Sequence, residues 1–303
     1  MSVQAANGYP QQSGTFIPEL WSPTLNVKFY AATVIPEITN SNWEDEISGM
    51  GDKVNIRQTP DTTISDYQKG QDITYEDLQA DVVQLDINKA KMFAFKVDDV
   101  DKYQSDIAML DDWAEDASLR MKIQIDSDYL TTVYSDADSN MAGNSAGQDS
   151  GDIDMGSSGT PKNLTKTNIV DYLVAMNVVM DENDLPEEYR YVVLPPWACG
   201  LIKTSELKDA SLTGDGMSPL RSGYLGMIDR VSVYCSRQLN SSSGKYDVIF
   251  GHIAGVSFAS QIVDVQYLPQ LESTFGSAVR GLNVYGWKTV KSQALGHSVI
   301  QKG

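Results

Sequence analysis

The sequence predicts an α+β protein with mixed sheets rather than a regular βαβ repeat. Three observations carry this. Short runs with period-two alternation stand at both ends of the chain. A long stretch from residue 103 switches to helical periodicity. Val- and Tyr-rich segments close the C-terminal half, and no internal repeat is present.

The first alternating pair flanks a long polar stretch. Lys53–Gln58 places Val54 and Ile56 on one face; the return flank places Val83, Leu85 and Ile87 on one face and Gln84, Asp86 and Asn88 on the other. The reading is two antiparallel strands joined by a polar excursion over about residues 59–80. A lone two-stranded ribbon is marginal in water, so its apolar face must rest on another surface. Loops of this length in compact domains are usually functional.

Helical periodicity then runs from Tyr103 to Tyr134. Tyr103, Ile107, Leu110, Ala114, Ala117 and Met121 step by four, three, four, three and four, one stripe of a helix. About 30 residues at 1.5 Å each make a rod of roughly 45 Å. Residues 135–161 form a Gly/Ser/Asp/Asn-rich loop or inserted flap. A second helix follows, with Thr167 as candidate cap and Ile169, Leu173, Met176 and Met180 as its stripe. A strand ends at Pro195–Pro196, and Pro196 can start a short helix through Trp197 and Leu201. Upstream, Pro18, Pro23 and Pro36 interrupt an aromatic arm at residues 16–48, with a short helix expected around Thr24–Ala32. Trp21, Phe29, Tyr30 and Trp43 are large anchors for a segment with little local core, so the arm is expected to pack against another surface, such as a second subunit.

Composition narrows the function classes. The 303 residues carry a formal net charge of −18. Residues 1–165 hold 28 acids and 11 bases, a net of −17; residues 98–154 alone hold 15 acids and 3 bases, a net of −12. After Glu272 the charged residues are Arg280, Lys288, Lys291 and Lys302. Wrapping of nucleic acid needs clustered Lys and Arg, so this pattern argues against it. No apolar run reaches the length needed to span a bilayer, and the first 14 residues show no secretory signal. The only two cysteines, Cys199 and Cys235, lie in apolar contexts and are expected to be buried free thiols.

Catalytic motifs are weak. The stretch KVDDVDKYQSD clusters Asp98, Asp99, Asp101 and Asp106, but its position between a strand and a helix favours capping and solvation over metal binding. Asp136, Asp138 and Asn140 start like a calcium loop, yet Met141 and Gly147 stand where Gly and Glu are required. His252 and His297 lie far apart, with no metal-binding or nucleophile-elbow context. Neither catalysis nor a cofactor is expected.

The second half carries a more specific pattern. LRSGYLGMIDRVSVYCSRQL, through Gly223, Leu225, Gly226, Ile228, Val233, Tyr234, Ser236 and Leu239, resembles a recurrent run of tailed-phage major capsid proteins of the Hong Kong 97-type fold. HIAGVSFASQI and FGSAVRGLNVYGWKTVKSQAL, with Tyr285–Gly286, are similar to that family's closing segments. The arm FIPELWSPTLNVKFYAATVIPEI resembles the opening of coat proteins of short-tailed phages. The resemblance implies an N-terminal arm (1–50), a two-stranded E-loop (51–96), a P-domain spine helix with the Gly/Ser/Asp-rich loop (97–164), an A domain (165–268) and C-terminal strands returning to the P domain (269–303). It further implies self-assembly into pentamers and hexamers of an icosahedral shell around phage DNA, with no sequence-specific DNA contact, no membrane and assembly in the host cytoplasm. Inter-subunit contacts would fall on Trp21, Phe29, Tyr30, Trp43, Arg57, Tyr67, Lys69, Tyr75, Asp98, Asp99 and Asp101. The aromatic arm begins within about 15 residues of the start, so a separate scaffolding protein is expected, with a portal and, in some relatives, a decoration protein. Some relatives crosslink an E-loop lysine; Lys69 sits near the loop tip, but nothing identifies its partner. The acidic stretch would face the lumen and repel DNA. Rival readings are an encapsulin-type nanocompartment shell, a tail or decoration protein, and an acidic metal-dependent enzyme.

Overall fold

The computed structural model describes residues 33–43, 53–60, 62–72, 75–78, 81–98, 109–205, 226–271 and 275–303. The helix expected around Thr24–Ala32 and the anchors Trp21, Phe29 and Tyr30 lie outside them, as do Asp99 and Asp101. The first described element is one turn, α1 (Ile35–Ile38), started by Pro36 and closed where the Thr39 hydroxyl donates to the Ile35 carbonyl at 2.8 Å.

The expected ribbon is present. Strands β1 (Lys53–Arg57) and β2 (Val82–Asp86) pair antiparallel from Lys53 opposite Asp86 to Arg57 opposite Val82. Its apolar face is covered by the chain itself, not by a neighbour: Ile56, Leu85 and Ile87 form one buried cluster with Ala259 and Val290, and Trp43 packs against it. The alternating run does not continue as a single return strand. It breaks at Ile87–Asn88, and β3 (Lys89–Asp98) joins a different sheet, antiparallel to β11 (Gly276–Thr289), which in turn pairs with β10 (Val256–Leu268).

Gly286 on β11 makes the crossing of the ribbon feasible. A Cβ there would meet the Asp86 carbonyl oxygen at 2.1 Å and the Ile87 Cα at 3.0 Å. Neither neighbour is a flexible side chain, so the ribbon itself would have to lift. Gly286→Ala is expected to cost about 3 kcal/mol, at the overpacked end of core substitutions, read as a lowered thermal midpoint.

Across the three-stranded sheet lies α2 (Met109–Leu130). Within the described residues the long helix ends at Leu130, short of Tyr134, and gives way to a 3-10 turn over Val133–Asp136. The hydroxyls of Thr131 and Thr132 turn back to the Ser127 and Asp128 carbonyls at 2.7 and 2.6 Å, satisfying acceptors at the helix end. The apolar stripe continues through Met121, Ile125, Tyr129 and Leu130, which pack with Val34, Ile35, Ile38 and Tyr285. Each such aliphatic side chain contributes roughly 1.5–3 kcal/mol on burial.

The loop over 135–161 is built into the core rather than lying on it as a flap. Its Met141, Ala146 and Met155 are fully buried in the same cluster as the helix that follows. The chain then adds β4 (Lys162–Leu164), α3 (Ile169–Glu182), β5 (Arg190–Leu194), α4 (Pro196–Thr204), β6 (Met227–Ile228), β7 (Val231–Cys235), β8 (Ser241–Ser242), β9 (Lys245–His252) and finally β12 (Leu295–Lys302). The large sheet runs β4-β12-β9-β5-β7-β6, with β8 on β9. It is mixed: β4 runs parallel to β12 and β5 to β7, while the other pairs are antiparallel. All five residues of β5 are buried, as befits a central strand covered on both faces.

In α3 the stripe Ile169, Leu173, Met176 and Met180 is buried as expected. Thr167 is not its cap. Asn168 holds that position, and its Oδ1 accepts from the Thr165 N–H at 2.7 Å, while the Thr167 hydroxyl pairs with the Thr165 hydroxyl. Pro196 starts α4 as the sequence suggests.

Candidate functional site

The sequence run through Gly226, Ile228, Val233, Ser236 and Leu239 becomes the β6–β7 hairpin and its exit. Gly226 has φ +59°, and its carbonyl accepts from the Val233 N–H at 3.0 Å. Asp229 and Arg230 at the turn also take positive φ, +47° and +67°. Side-chain contacts hold them there: the Asn177 amide donates to the Asp229 carboxylate at 3.0 Å, and Arg230 pairs with Glu187 at 2.6 Å and Asp181 at 3.3 Å. Beneath them Arg190, 1% exposed, bonds Asp181 at 2.6 Å, the Asn177 amide oxygen, and the Leu185 and Pro186 carbonyls at 2.5 and 2.8 Å. Sequence reading missed this buried guanidinium, because an arginine at the start of an apolar strand resembles a surface residue.

The second missed group is Asp126, also 1% exposed. Its Oδ1 accepts from the N–H groups of Val34 and Ile35 at 3.0 and 3.1 Å, fastening the start of α1 to α2 near its C-terminal end. Burial raises its carboxyl above the ordinary value, partly offset by those two hydrogen bonds. Asp128, two residues on, behaves oppositely. Burial would raise it, but hydrogen bonds from Lys91 at 2.6 Å, Gln124 at 3.2 Å and Tyr285 at 3.1 Å outweigh that and hold it low. Two carboxylates of the acidic stretch are thus internal ties, not free surface charge.

Asp138 and Asp154 in the 135–161 loop are occupied in the same way. Asp138 accepts from Asn140 N–H at 2.9 Å. Asp154 pairs with Lys162 at 3.0 Å and accepts from Gly156 N–H and Asn144, which hold its carboxyl low against the effect of burial. Outside the loop, Glu182 accepts from the backbone of Ser150, which lowers its carboxyl, and from Asp149. His297 pairs with Asp247 at 2.8 Å, and the His252 Nδ1 accepts from Ala254 N–H. No metal-holding cluster of His, Cys, Asp or Glu occurs among the described residues.

What remains is surface. In the excursion between β1 and β2, Ile64 is 95% exposed, Tyr75 93% and Tyr67 69%. Thr63 and Glu76 tie its two limbs together, with hydrogen bonds of 3.1 and 2.8 Å that hold the Glu76 carboxyl low. Lys69 stands exposed beside Gly70, whose φ of +90° makes the turn at the tip. Arg57 is exposed on β1, and Asp98 is exposed at the end of β3 opposite Gly276. Trp43 is half-buried on the ribbon. The capping role read for Asp98, Asp99 and Asp101 falls at residues 99–108, outside the described residues.

Two apolar surfaces flank the three-stranded sheet. On one side a groove of about 560 Å³ runs between β3 and α2, lined by Phe93, Phe95, Trp113, Arg120 and Met121. On the other, Met92 (83% exposed) and Leu282 stand opposite each other beside Arg280, which donates to Gln266. No described helix is long and apolar enough to cross a membrane.

No family model matches the sequence, and no curated protein matches it. Solved structures do. A chain from Mycobacterium phage Che8 superposes with a TM-score of 0.77 at 22% identity, over 93% of this chain and 96% of that one. A chain of the cyanophage Pam1 capsid asymmetric unit superposes at 0.73 with 10% identity, over 98% and 99%. A chain from the capsid of cyanophage P-SCSP1u superposes at 0.70 with 12% identity, over 95% and 94%. Over nearly its whole length, this chain has the mixed α+β fold of phage capsid subunits.

Proposed function

We propose that this chain is a phage major capsid protein. One observation carries the reading: the full-length superposition on capsid subunits, with nothing large left over on either side. The exposed side chains fit it. A loop carrying Ile64, Tyr67 and Tyr75 in water is a poor design for a monomer, and large apolar side chains exposed on one loop fit an interaction site. In this reading the loop is the E-loop of a Hong Kong 97-type subunit, α2 is its spine helix, and strands β5 to β9 of the large sheet belong to its A domain. Neighbouring copies bury the loop, and pentamers and hexamers close into a shell around DNA. Trp21, Phe29, Tyr30, Trp43, Arg57, Tyr67, Lys69, Tyr75, Asp98, Asp99 and Asp101 are its proposed contact residues. A scaffolding protein and a portal would act during assembly, and the chain itself performs no catalysis.

Negative-stain microscopy of the expressed protein, with and without a co-expressed scaffold, tests the reading. Closed shells tens of nanometres across, losing integrity in a Tyr67→Ser, Tyr75→Ser double variant, are expected. A soluble monomer under every condition would overturn it.

A further inference from the structure

We propose that Cys199 and Cys235 form a redox-modifiable dithiol that closes an internal disulfide between α4 and β7. They are the only two cysteines in the chain. Contrary to the expectation of two buried thiols, Cys199 is buried and Cys235 is exposed, because Cys235 is the last residue of β7, where the strand leaves the sheet.

The topology brings them together around one peptide. In the parallel pairing of β5 and β7, Leu194 lies opposite Cys235. The Leu194 carbonyl accepts from the Ser236 N–H at 3.0 Å. The same carbonyl lies 4.0 Å from the Cys199 Sγ, because α4 starts directly after β5 and its first turn folds back over the strand ends. Cys199 and Cys235 therefore flank the same peptide carbonyl.

Their surroundings make the pair asymmetric. The neighbouring Cys199 thiol, with the Lys203 ammonium nearby, brings Cys235 down to about 7 against the opposing effect of burial. Cys199, beside that sulfur and buried, is pushed up. Cys235 is therefore the accessible nucleophile and Cys199 the resolving thiol. With a low-molecular-weight disulfide as oxidant, the Cys235 thiolate attacks one sulfur, forms a mixed disulfide and expels one thiolate. Cys199 then gives up its proton to that thiolate or to water and attacks the Cys235 sulfur, expelling the second thiol. Two protein thiols are oxidised and one small disulfide is reduced to two thiols.

This inference does not rest on the capsid reading. The test exposes the purified full-length protein to oxidised glutathione at pH 7, followed by intact-mass measurement and non-reducing peptide mapping. The wild-type chain should lose two hydrogens and show a Cys199–Cys235 linked peptide with no lasting adduct. Cys199→Ser should stop at a glutathione adduct on Cys235, and Cys235→Ser should stay unmodified. Under reducing conditions, iodoacetamide should alkylate Cys235 more than about tenfold faster than Cys199, from their thiolate fractions. A wild-type chain that keeps a stable adduct on Cys235, or retains two free thiols, overturns the proposal, and the wild-type result decides it even if a variant fails to fold.

Discussion

Arg190→Leu should be the most damaging single substitution among the described residues, costing about 3–5 kcal/mol. The guanidinium is buried beneath the β6–β7 turn and saturates four acceptors: Asp181, Asn177 and the Leu185 and Pro186 carbonyls. Leucine fills part of the volume but donates nothing. The Asn177 oxygen and two carbonyls lose their partner, and each buried acceptor left bare costs about 1–3 kcal/mol. The Asp181 pair adds less than its length suggests, because Asp181 is 43% exposed and can rehydrate. Chemical denaturation of the purified chain measures the loss. A change below about 1 kcal/mol would show that the network is ornamental. Arg190→Lys should recover little, since one ammonium cannot reach four acceptors spread over a planar fork.

The second large effect is expected at Asp126. Asp126→Ala strands the Val34 and Ile35 N–H groups, both almost fully buried, at about 1–3 kcal/mol each. Hydrogen exchange at those two amides should accelerate ahead of the rest of the chain, which separates a lost tie from general unfolding. Asp126→Asn should behave differently, because an amide oxygen can accept the same two bonds without charge. Burial raises the Asp126 carboxyl above its ordinary value of 3.8. The folded chain therefore holds this proton more tightly than the unfolded chain does. That contribution to stability is fully present below pH 3.8 and is lost as pH rises through the raised folded value. Asp126→Asn should flatten this part of the pH–stability curve. An unchanged curve would show that Asp126 is not the group responsible.

Local pattern carried much of the architecture. The alternation of Val83, Leu85 and Ile87 predicts one face of a ribbon strand, and the stripe of Ile169, Leu173, Met176 and Met180 predicts a helix face; both are the faces buried in the structure. These succeed because a side chain's direction follows from strand or helix period alone. The break at Ile87–Asn88 was not legible. The two strands follow each other with only two residues between them, and the change of sheet depends on Gly286, some two hundred positions away, leaving room for the crossing backbone. The candidate surface was legible only in outline: Tyr67, Lys69 and Tyr75 could be placed on a long polar excursion, and the structure leaves them exposed.

By itself, the sequence determined the class of fold, the presence of a long helix between two β-rich regions, and the weakness of every catalytic motif. Tertiary structure alone decided which charges are surface and which are ties. Asp126 and Asp128 look alike in a run of acids, yet one caps a distant helix start and the other meets Lys91 and Tyr285. Cys199 and Cys235 look alike in apolar runs, yet a parallel strand pairing sets them side by side with one exposed. The physical reason is common to all four. A polar group's ionisation and reactivity depend on what is packed within a few ångströms, and those neighbours come from segments the local sequence cannot name.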